Sequence, residues 1–139
     1  MDFIGCKVAL FSGLTILTYL RDEKPGLRWP GLWDLPGGGR EGEESPEDCV
    51  LREVEEEFGL RLPPERLILR RVLPSMMDAT RASVFYAGRL SADEIAAIRF
   101  GEEGQCWEMM AIAAFLDHDR AVPEMQRRAA QAAADLGLA

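Results

Sequence analysis

The chain has 139 residues, of which 47% are hydrophobic and 29% are charged, and its formal net charge at pH 7 is −8. This length and composition predict one globular domain, residues 1–139, and exclude an intrinsically disordered chain. The negative charge argues against a duplex nucleic-acid partner, because binding to DNA depends on basic side chains that displace counterions.

The cysteines and the histidine exclude several kinds of site. Cys6, Cys49 and Cys106 are odd in number and share no spacing typical of metal ligands. We predict that they are buried, reduced thiols of a cytoplasmic protein. His118 is the single histidine, and we expect it at the surface. The chain is therefore a poor candidate for a histidine-based zinc site or a serine–histidine–aspartate triad.

The first predicted elements are two strands, at residues 6–11 and 14–20, joined by a turn at Ser12-Gly13. The turn and two threonines interrupt this apolar stretch well short of the ~18 apolar residues of a membrane helix. No positively charged region precedes it, as one would in a signal peptide. We therefore expect no membrane span and no membrane partner.

A polar loop of residues 21–31 follows and contains two prolines and two glycines. Trp29 and Trp33 lie near its end. Both can cover an edge of the core, which is the role that we favour, or they can stack on a base.

The next segment carries the start and stop signals of a helix. Ser45 can cap the first free backbone N–H groups, and Pro46 suits the first helical position because its missing N–H would be unpaired there. Gly59 can take the left-handed conformation that ends a helix. We predict a helix between Ser45 and Gly59, entered through a glycine-rich loop that begins at Gly37.

This predicted helix has an apolar face and an acidic face. The apolar stripe, which must pack on the core, consists of Val50, Leu51, Val54 and Phe58. Glu53, Glu56 and Glu57 are spaced so that their carboxylates converge and repel one another. Arg52 can pair with Glu56, and a hard divalent cation such as Mg²⁺ would neutralise the rest. The alternative is a solvated acidic face without a metal.

The glycine-rich loop and the helix together resemble the Nudix box. The defined positions of that box are filled by Gly38, Glu44, Arg52, Glu53, Val54, Glu56, Glu57, Gly59 and Leu60. The lead-in at residues 33–38 is also typical of such boxes. So many matched positions make a chance match improbable, and the chain is identified as similar to the Nudix hydrolases.

A second glycine pattern is a decoy. Gly37, Gly39 and Gly42 fit the G-x-G-x-x-G pattern of dinucleotide-binding folds, and Glu57 follows at about the expected 20 residues. However, Pro36 stands where a buried parallel strand should end, and Glu57 falls inside the helix instead of ending a second strand. We reject a dinucleotide-binding fold.

Further elements are predicted downstream of the box. Two strands, at residues 67–73 and 82–90, flank a loop of residues 74–81. Residues 91–98 form a short helix because Ser91 and Glu94 make a capping box. Last come a strand at residues 105–110, a small helix beginning at residues 113–116, and a helix at residues 123–136 that Gly137 stops.

The resemblance implies a Nudix-like α/β/α sandwich, with a mixed β-sheet between helices and the box as a loop-helix-loop motif. It implies Mg²⁺ as the cofactor, with Mn²⁺ as a substitute. Glu56 and Glu57 are the implied ligands, and Glu53 is either a ligand or the general base. Arg52 and Glu44 would organise these side chains.

Two backbone or loop positions complete the implied metal site. Gly38 would allow the backbone geometry and offer a carbonyl oxygen near the metal. Nudix hydrolases often supply one more glutamate from a loop in the region of residues 101–105. We choose Glu103 for this role and keep Glu102 as the reserve, although two acids among glycines also suit a plain solvated turn.

Substrate specificity is expected in the polar loops beside strand ends, where binding residues concentrate. The candidates for phosphate contacts are Arg28, Arg40 and Arg81, and Trp29 is the candidate for stacking on a base. The implied substrate is a nucleoside diphosphate linked to another group, so we expect a small nucleotide as ligand and a chain that is a monomer or a homodimer.

The implied hydrolysis of a nucleoside diphosphate derivative is compatible with several substrates. The short single domain is similar to mutator-type enzymes that cleave a standard or modified nucleoside triphosphate to the monophosphate and pyrophosphate. Pro74, 15 residues beyond Gly59, instead points to ADP-ribose-type members, and dinucleoside polyphosphates are a further alternative. A catalytically silent nucleotide-binding module usually loses box carboxylates, none of which is missing here. An isoprenoid diphosphate isomerase would need a cysteine motif that this chain lacks.

Overall fold

The computed structural model describes residues 1–138, which are built around a mixed sheet. In chain order, its strands are β1 (Gly5–Ser12), β2 (Thr15–Leu20), β3 (Trp33–Asp34), β4 (Gly37–Gly39), β5 (Leu67–Pro74), β6 (Ala82–Arg89) and β7 (Cys106–Ala111). The helices are α1 (Pro46–Phe58), α2 (Ala92–Ala96), α3 (Ile112–Leu116) and α4 (Pro123–Asp135), and a 3-10 turn, Pro64–Arg66, precedes β5.

Strand β1 is the centre of the sheet. The strand order is β3-β2-β1-β6-β5, with β4 also paired to β1 and β7 also paired to β2. β1 runs parallel to β6, and the other pairs are antiparallel. β1 pairs with β2 at its carboxyl end and with β4 at its amino end, where Lys7 lies opposite Gly37.

The two faces of β1 feed two hydrophobic cores. Because successive side chains of a strand point to opposite faces, Val8 and Leu10 pack into the core that contains Val54 of α1. Ala9 and Phe11 pack into the other core, which contains the buried residues of α4. Helices therefore cover both faces of a mixed sheet, which confirms the predicted α/β/α sandwich.

Local signals placed the box helix correctly. Ser45 Oγ accepts a hydrogen bond from the Asp48 N–H at 3.1 Å, and Gly59 closes the helix at a φ of 67°. Val50, Val54 and Phe58 are fully buried, and Leu51 is half-buried. The strands after the box also match their predictions to within a few residues, while α2 is shorter than expected.

Three expectations need correction. The glycine-rich loop before the box is a short strand at Gly37–Gly39, because its backbone pairs with β1. Cys6 and Cys49 are buried free thiols as predicted, but the free thiol Cys106 is exposed on β7. His118 is half-buried, with its Nδ1 accepting the backbone N–H of Arg120 at 3.0 Å.

The two tryptophans differ in burial. Trp33 packs against the core beneath α4, as the core-covering role requires. Trp29 is 38% exposed and contributes to neither core. No helix within residues 1–138 is both long and apolar enough to cross a membrane.

Close contact between β4 and β1 restricts one position to glycine. Gly37 has a φ of 138°, and a Cβ built on it would lie 2.2 Å from the carbonyl oxygen of Cys6. Since that contact is with backbone, no side-chain rotation can relieve it. Strand β4 can therefore approach β1 only without a side chain at this position.

We expect Gly37→Ala to destabilise the fold by at least about 3 kcal/mol, because backbone strain and a steric clash add together. Gly42→Ala is the matched control, since Gly42 also has a positive φ, 55°, but a Cβ there meets nothing within 4 Å. The control should cost only about 1–2 kcal/mol. Urea unfolding measures both, and equal costs would contradict this account of the contact between β4 and β1.

Candidate functional site

A cavity of about 430 Å³ lies where the amino end of β1, strand β4 and helix α1 meet. Its acidic side chains are Asp34, Glu53, Glu57 and Glu103, and its basic ones are Lys7, Arg21, Arg28 and Arg128. Apolar surface comes from Trp29, Met76, Met77 and Met125. Acidic, basic and apolar groups therefore face a common space.

Glu57 is the most buried carboxylate of the box. The residue is 8% exposed, and its Oε1 accepts a hydrogen bond from the Gly37 N–H at 3.0 Å. Burial raises the pKa of Glu57 to about 8, although the positive charge of Lys7 and the Gly37 hydrogen bond oppose that rise. The nearby charges of Glu53 and Asp34 raise it further. The site thus holds a carboxyl group whose charge is incompletely compensated.

Glu53 lies one turn before Glu57 and contacts the backbone of Gly38. A Cβ built on Gly38 would lie 2.6 Å from the Glu53 carboxylate carbon, so the glycine leaves the space that this carboxylate fills. Burial raises the pKa of Glu53, and the charges of Glu56 and Glu103 add to the effect, while Arg52 opposes it. A side chain at position 38 would therefore displace the Glu53 carboxylate.

Arg52 contacts three glutamates of the box. Its guanidinium pairs with Glu44 at 2.8 Å, Glu53 at 2.9 Å and Glu56 at 3.1 Å. It also donates to the carbonyl oxygen of Gly39 at 3.0 Å. Its hydrogen bond holds the pKa of Glu44 at about 2. The predicted ion pair between Arg52 and Glu56 is present, and Arg52 also contacts Glu44.

The expected convergence of three carboxylates is only partly realised. Glu53 and Glu57 line the cavity, but the side chain of Glu56 is 57% exposed, pairs with Arg52 and does not line it. Within residues 1–138, no three His, Cys, Asp or Glu side chains are gathered closely enough to hold an ion. Glu56 is therefore paired with Arg52 and does not join Glu53 and Glu57 in the cavity.

The donor set nevertheless fits a hard divalent cation. Carboxylate and carbonyl oxygens are the ligands that Mg²⁺ and Mn²⁺ prefer. Glu53 and Glu57 supply such oxygens from the cavity wall, and the missing side chain of Gly38 leaves room for the Glu53 carboxylate. Glu103 lines the same cavity and Glu102 does not, which favours the first choice over the reserve.

The predicted substrate-binding residues separate into two groups. Arg28 and Trp29 line the cavity, and Trp29 adopts the uncommon positive φ of 52°. Arg40 and Arg81 do not line it, and their contact with phosphates stays a prediction. Arg40 lies over the Phe3 ring at 4.6 Å, and Arg81 pairs with Asp2 at 3.3 Å.

Sequence reasoning missed several lining residues. Met76 and Met77 lie in the loop of residues 74–81, from which only Arg81 is predicted to contact the substrate. Lys7 and Asp34 form a buried ion pair at 3.0 Å across the sheet. The only local signal for Asp34 was its place in the lead-in to the box, and Lys7 had none beyond being charged in an apolar strand.

In a chelator, Glu57→Gln should stabilise the protein increasingly as the pH rises. A folded-state pKa of about 8 against an ordinary value of 4.5 means that the folded protein favours the protonated carboxyl. The contribution of Glu57 to the free energy of unfolding is therefore fully present below the ordinary pKa. It is lost as the pH rises through the pKa of the folded protein. Between about pH 5 and about pH 9, the free energy of unfolding of the variant should rise relative to that of wild type by up to a few kcal/mol. Urea unfolding measures this, and a difference independent of pH would contradict it.

Known proteins resemble the chain in sequence and in fold. The NUDIX domain family model matches residues 17–132. Nucleoside triphosphatase NudI of Klebsiella pneumoniae (strain 342) is 42% identical over 62 residues, which are 44% of this chain and 40% of that protein. The chain spans about half the length of the curated relatives it matches.

Two solved structures share the fold. An Ap4A hydrolase of C. elegans has a TM-score of 0.72 at 19% identity, over 96% of this chain and 98% of that one. A bifunctional NMN adenylyltransferase/ADP ribose pyrophosphatase of Francisella tularensis, complexed with AMP and a Mn ion, has a TM-score of 0.69 at 18% identity. The match covers 98% of this chain and 42% of that one. The family match covers most of the chain, and the box and the fold agree with it: the chain belongs to the Nudix family.

Proposed function

We propose that the chain hydrolyses a nucleoside diphosphate linked to another group, with a standard or modified nucleoside triphosphate as the preferred substrate. The observation that carries this proposal is the burial of Glu53 and Glu57 in one cavity, against the glycines of β4. Anionic oxygens gathered in this way suit a metal-bound diphosphate. Basic and apolar groups of the same cavity suit the rest of a nucleotide.

The proposed cofactor is Mg²⁺, with Mn²⁺ as a substitute. Glu53, Glu57, Glu103 and the carbonyl of Gly38 would hold it, and Glu56 would join them on leaving Arg52. When bound, such an ion neutralises a diphosphate, orients it and lowers the pKa of a water.

The residues of the box have different roles in the proposed reaction. Glu53 is either a ligand or the general base, and its raised pKa suits a group that accepts a proton from water. Arg52 contacts Glu44, Glu53 and Glu56 together, so it fixes the positions of these carboxylates. Gly37 orients Glu57 through its backbone N–H.

The preference for triphosphates rests on the curated relatives, which are nucleoside triphosphatases. Trp29, Met76 and Met77 offer apolar surface that a single base can cover. The alternatives are ADP-ribose and dinucleoside polyphosphates, which the two solved structures suggest by their activities. A catalytically silent binding module has less support, since every box carboxylate is present.

A substrate panel with Mg²⁺ tests the proposal, covering standard and oxidised triphosphates, ADP-ribose and dinucleoside polyphosphates. We expect turnover of a triphosphate, and a loss of at least about 100-fold in Glu56→Gln and in Glu57→Gln, the range for losing a metal or proton-transfer role. Glu55→Gln is the matched control because Glu55 lies on the same helix but pairs outward with Arg61 at 2.7 Å. Equal turnover in all three variants, or none in the wild type on any substrate, would refute the proposal.

A further inference from the structure

Lys7 is a fixed cation in the wall of the cavity. It lies on β1 opposite Gly37, the residue that donates to Glu57. Its Nζ is 3.0 Å from Asp34 Oδ2 and 3.0 Å from the carbonyl oxygen of Leu35. The Lys7 side chain is 16% exposed and lines the same cavity as the box carboxylates.

Asp34 cannot shift to release Lys7, because its own carboxylate is held at both oxygens. The Leu35 N–H donates to Oδ1 at 2.7 Å, and Arg21 donates to Oδ2 at 3.1 Å. The Tyr19 hydroxyl donates to Oδ2 at 3.5 Å. The Asp34 side chain is 3% exposed. The ammonium of Lys7 is therefore positioned by a rigid, buried anchor.

The ammonium keeps one donor for a ligand. A lysine has three N–H donors, and within residues 1–138 only Asp34 and Leu35 accept from Lys7. By contrast, Arg128 is already paired with Glu124 at 2.9 Å and donates to the Pro74 carbonyl at 2.9 Å. Lys7, which lines the cavity, therefore has one N–H without a hydrogen-bond acceptor among these residues, and the Tyr19 ring centroid lies 5.7 Å from its Nζ.

The charge of Lys7 is also needed there. Although burial lowers it, the pKa of Lys7 lies above its ordinary value because of the charges of Asp34, Tyr19 and Glu57. A phosphate entering the cavity meets Glu53 and Glu57, and the chain as a whole has a net charge of −8. A fixed ammonium in the wall of the same cavity offsets that repulsion, and its charge strengthens any hydrogen bond that it donates to a phosphate oxygen.

We propose that Lys7 binds a phosphate oxygen of the nucleotide and holds the diphosphate against the box, an inference that rests on the proposed function. Asp34 is then a positioning residue, which acts by orienting Lys7. A purely structural Lys7–Asp34 pair would leave phosphate affinity unchanged.

Binding of two probes in a chelator tests this inference: inorganic pyrophosphate and the α,β-methylene analogue of ATP. Calorimetry should show affinities weaker by roughly tenfold or more for Lys7→Met, because a charge-assisted hydrogen bond is lost. Lys24→Met is the matched control, since Lys24 is 73% exposed, lies outside this cavity and is the other lysine of the chain. Its affinities should stay within about twofold of wild type.

The double variant Lys7→Met/Asp34→Asn guards against a folding defect, because it also neutralises the buried carboxylate that Lys7→Met leaves with Arg21 as its remaining cation partner. It should bind the probes as weakly as Lys7→Met. A wild-type measurement makes the test independent of both variants. With ¹³C-labelled lysine, NMR shows two Cε signals, and either probe should shift that of Lys7 and leave that of Lys24 in place.

An unshifted Lys7 signal, or folded Lys7 variants that bind both probes as tightly as wild type, overturns the inference. The proposed function fails separately. Probe binding with a shifted Lys7 signal but no hydrolysis of any substrate refutes only the catalytic proposal, while hydrolysis with an unshifted Lys7 signal refutes only the role of Lys7. A wild type that neither binds the probes nor hydrolyses a nucleotide refutes both.

Discussion

The buried carboxylate of Glu57 is the constraint on which the site depends. It lies where α1 packs against β4 and is held by the backbone N–H of Gly37. That contact exists because β4 lies so close to β1 that no side chain fits at position 37. The same strand places Gly38 against Glu53. Gly37 and Gly38 therefore allow the carboxylates of Glu57 and Glu53 to lie in one cavity, where burial raises their pKa values.

Two groups of positive charge act on these carboxylates. Arg52 gathers Glu44, Glu53 and Glu56 into one network. Lys7, which Asp34 fixes in the cavity wall, acts on Glu57 through its charge. Neither cation removes the raised pKa of Glu57, which leaves a demand for further positive charge. A bound divalent cation would meet that demand, and it would link the packing of the fold to the proposed chemistry.

Local signals predicted the box, its helix and the layered fold, because caps, helical periodicity and spacing all lie within a short stretch. They could not reveal contacts between distant residues. Lys7 and Asp34 are 27 positions apart and meet only through strand pairing, so their ion pair left no local pattern. Arg40 and Arg81 were candidates by charge and loop position alone, which do not reveal that they contact Phe3 and Asp2 in the structure. Cys106 was expected inside from its residue type but lies on an exposed part of β7.

The central claim is that the buried carboxylates form a cation site, and a calorimetric titration with Mn²⁺ tests it most directly. Wild type and Glu55→Gln should bind the ion with similar affinity, because Glu55 faces outward toward Arg61. Glu57→Gln should bind it at least about tenfold more weakly, as expected when an anionic ligand becomes neutral. Equal affinities in all three proteins, or no binding to the wild type, would contradict the account.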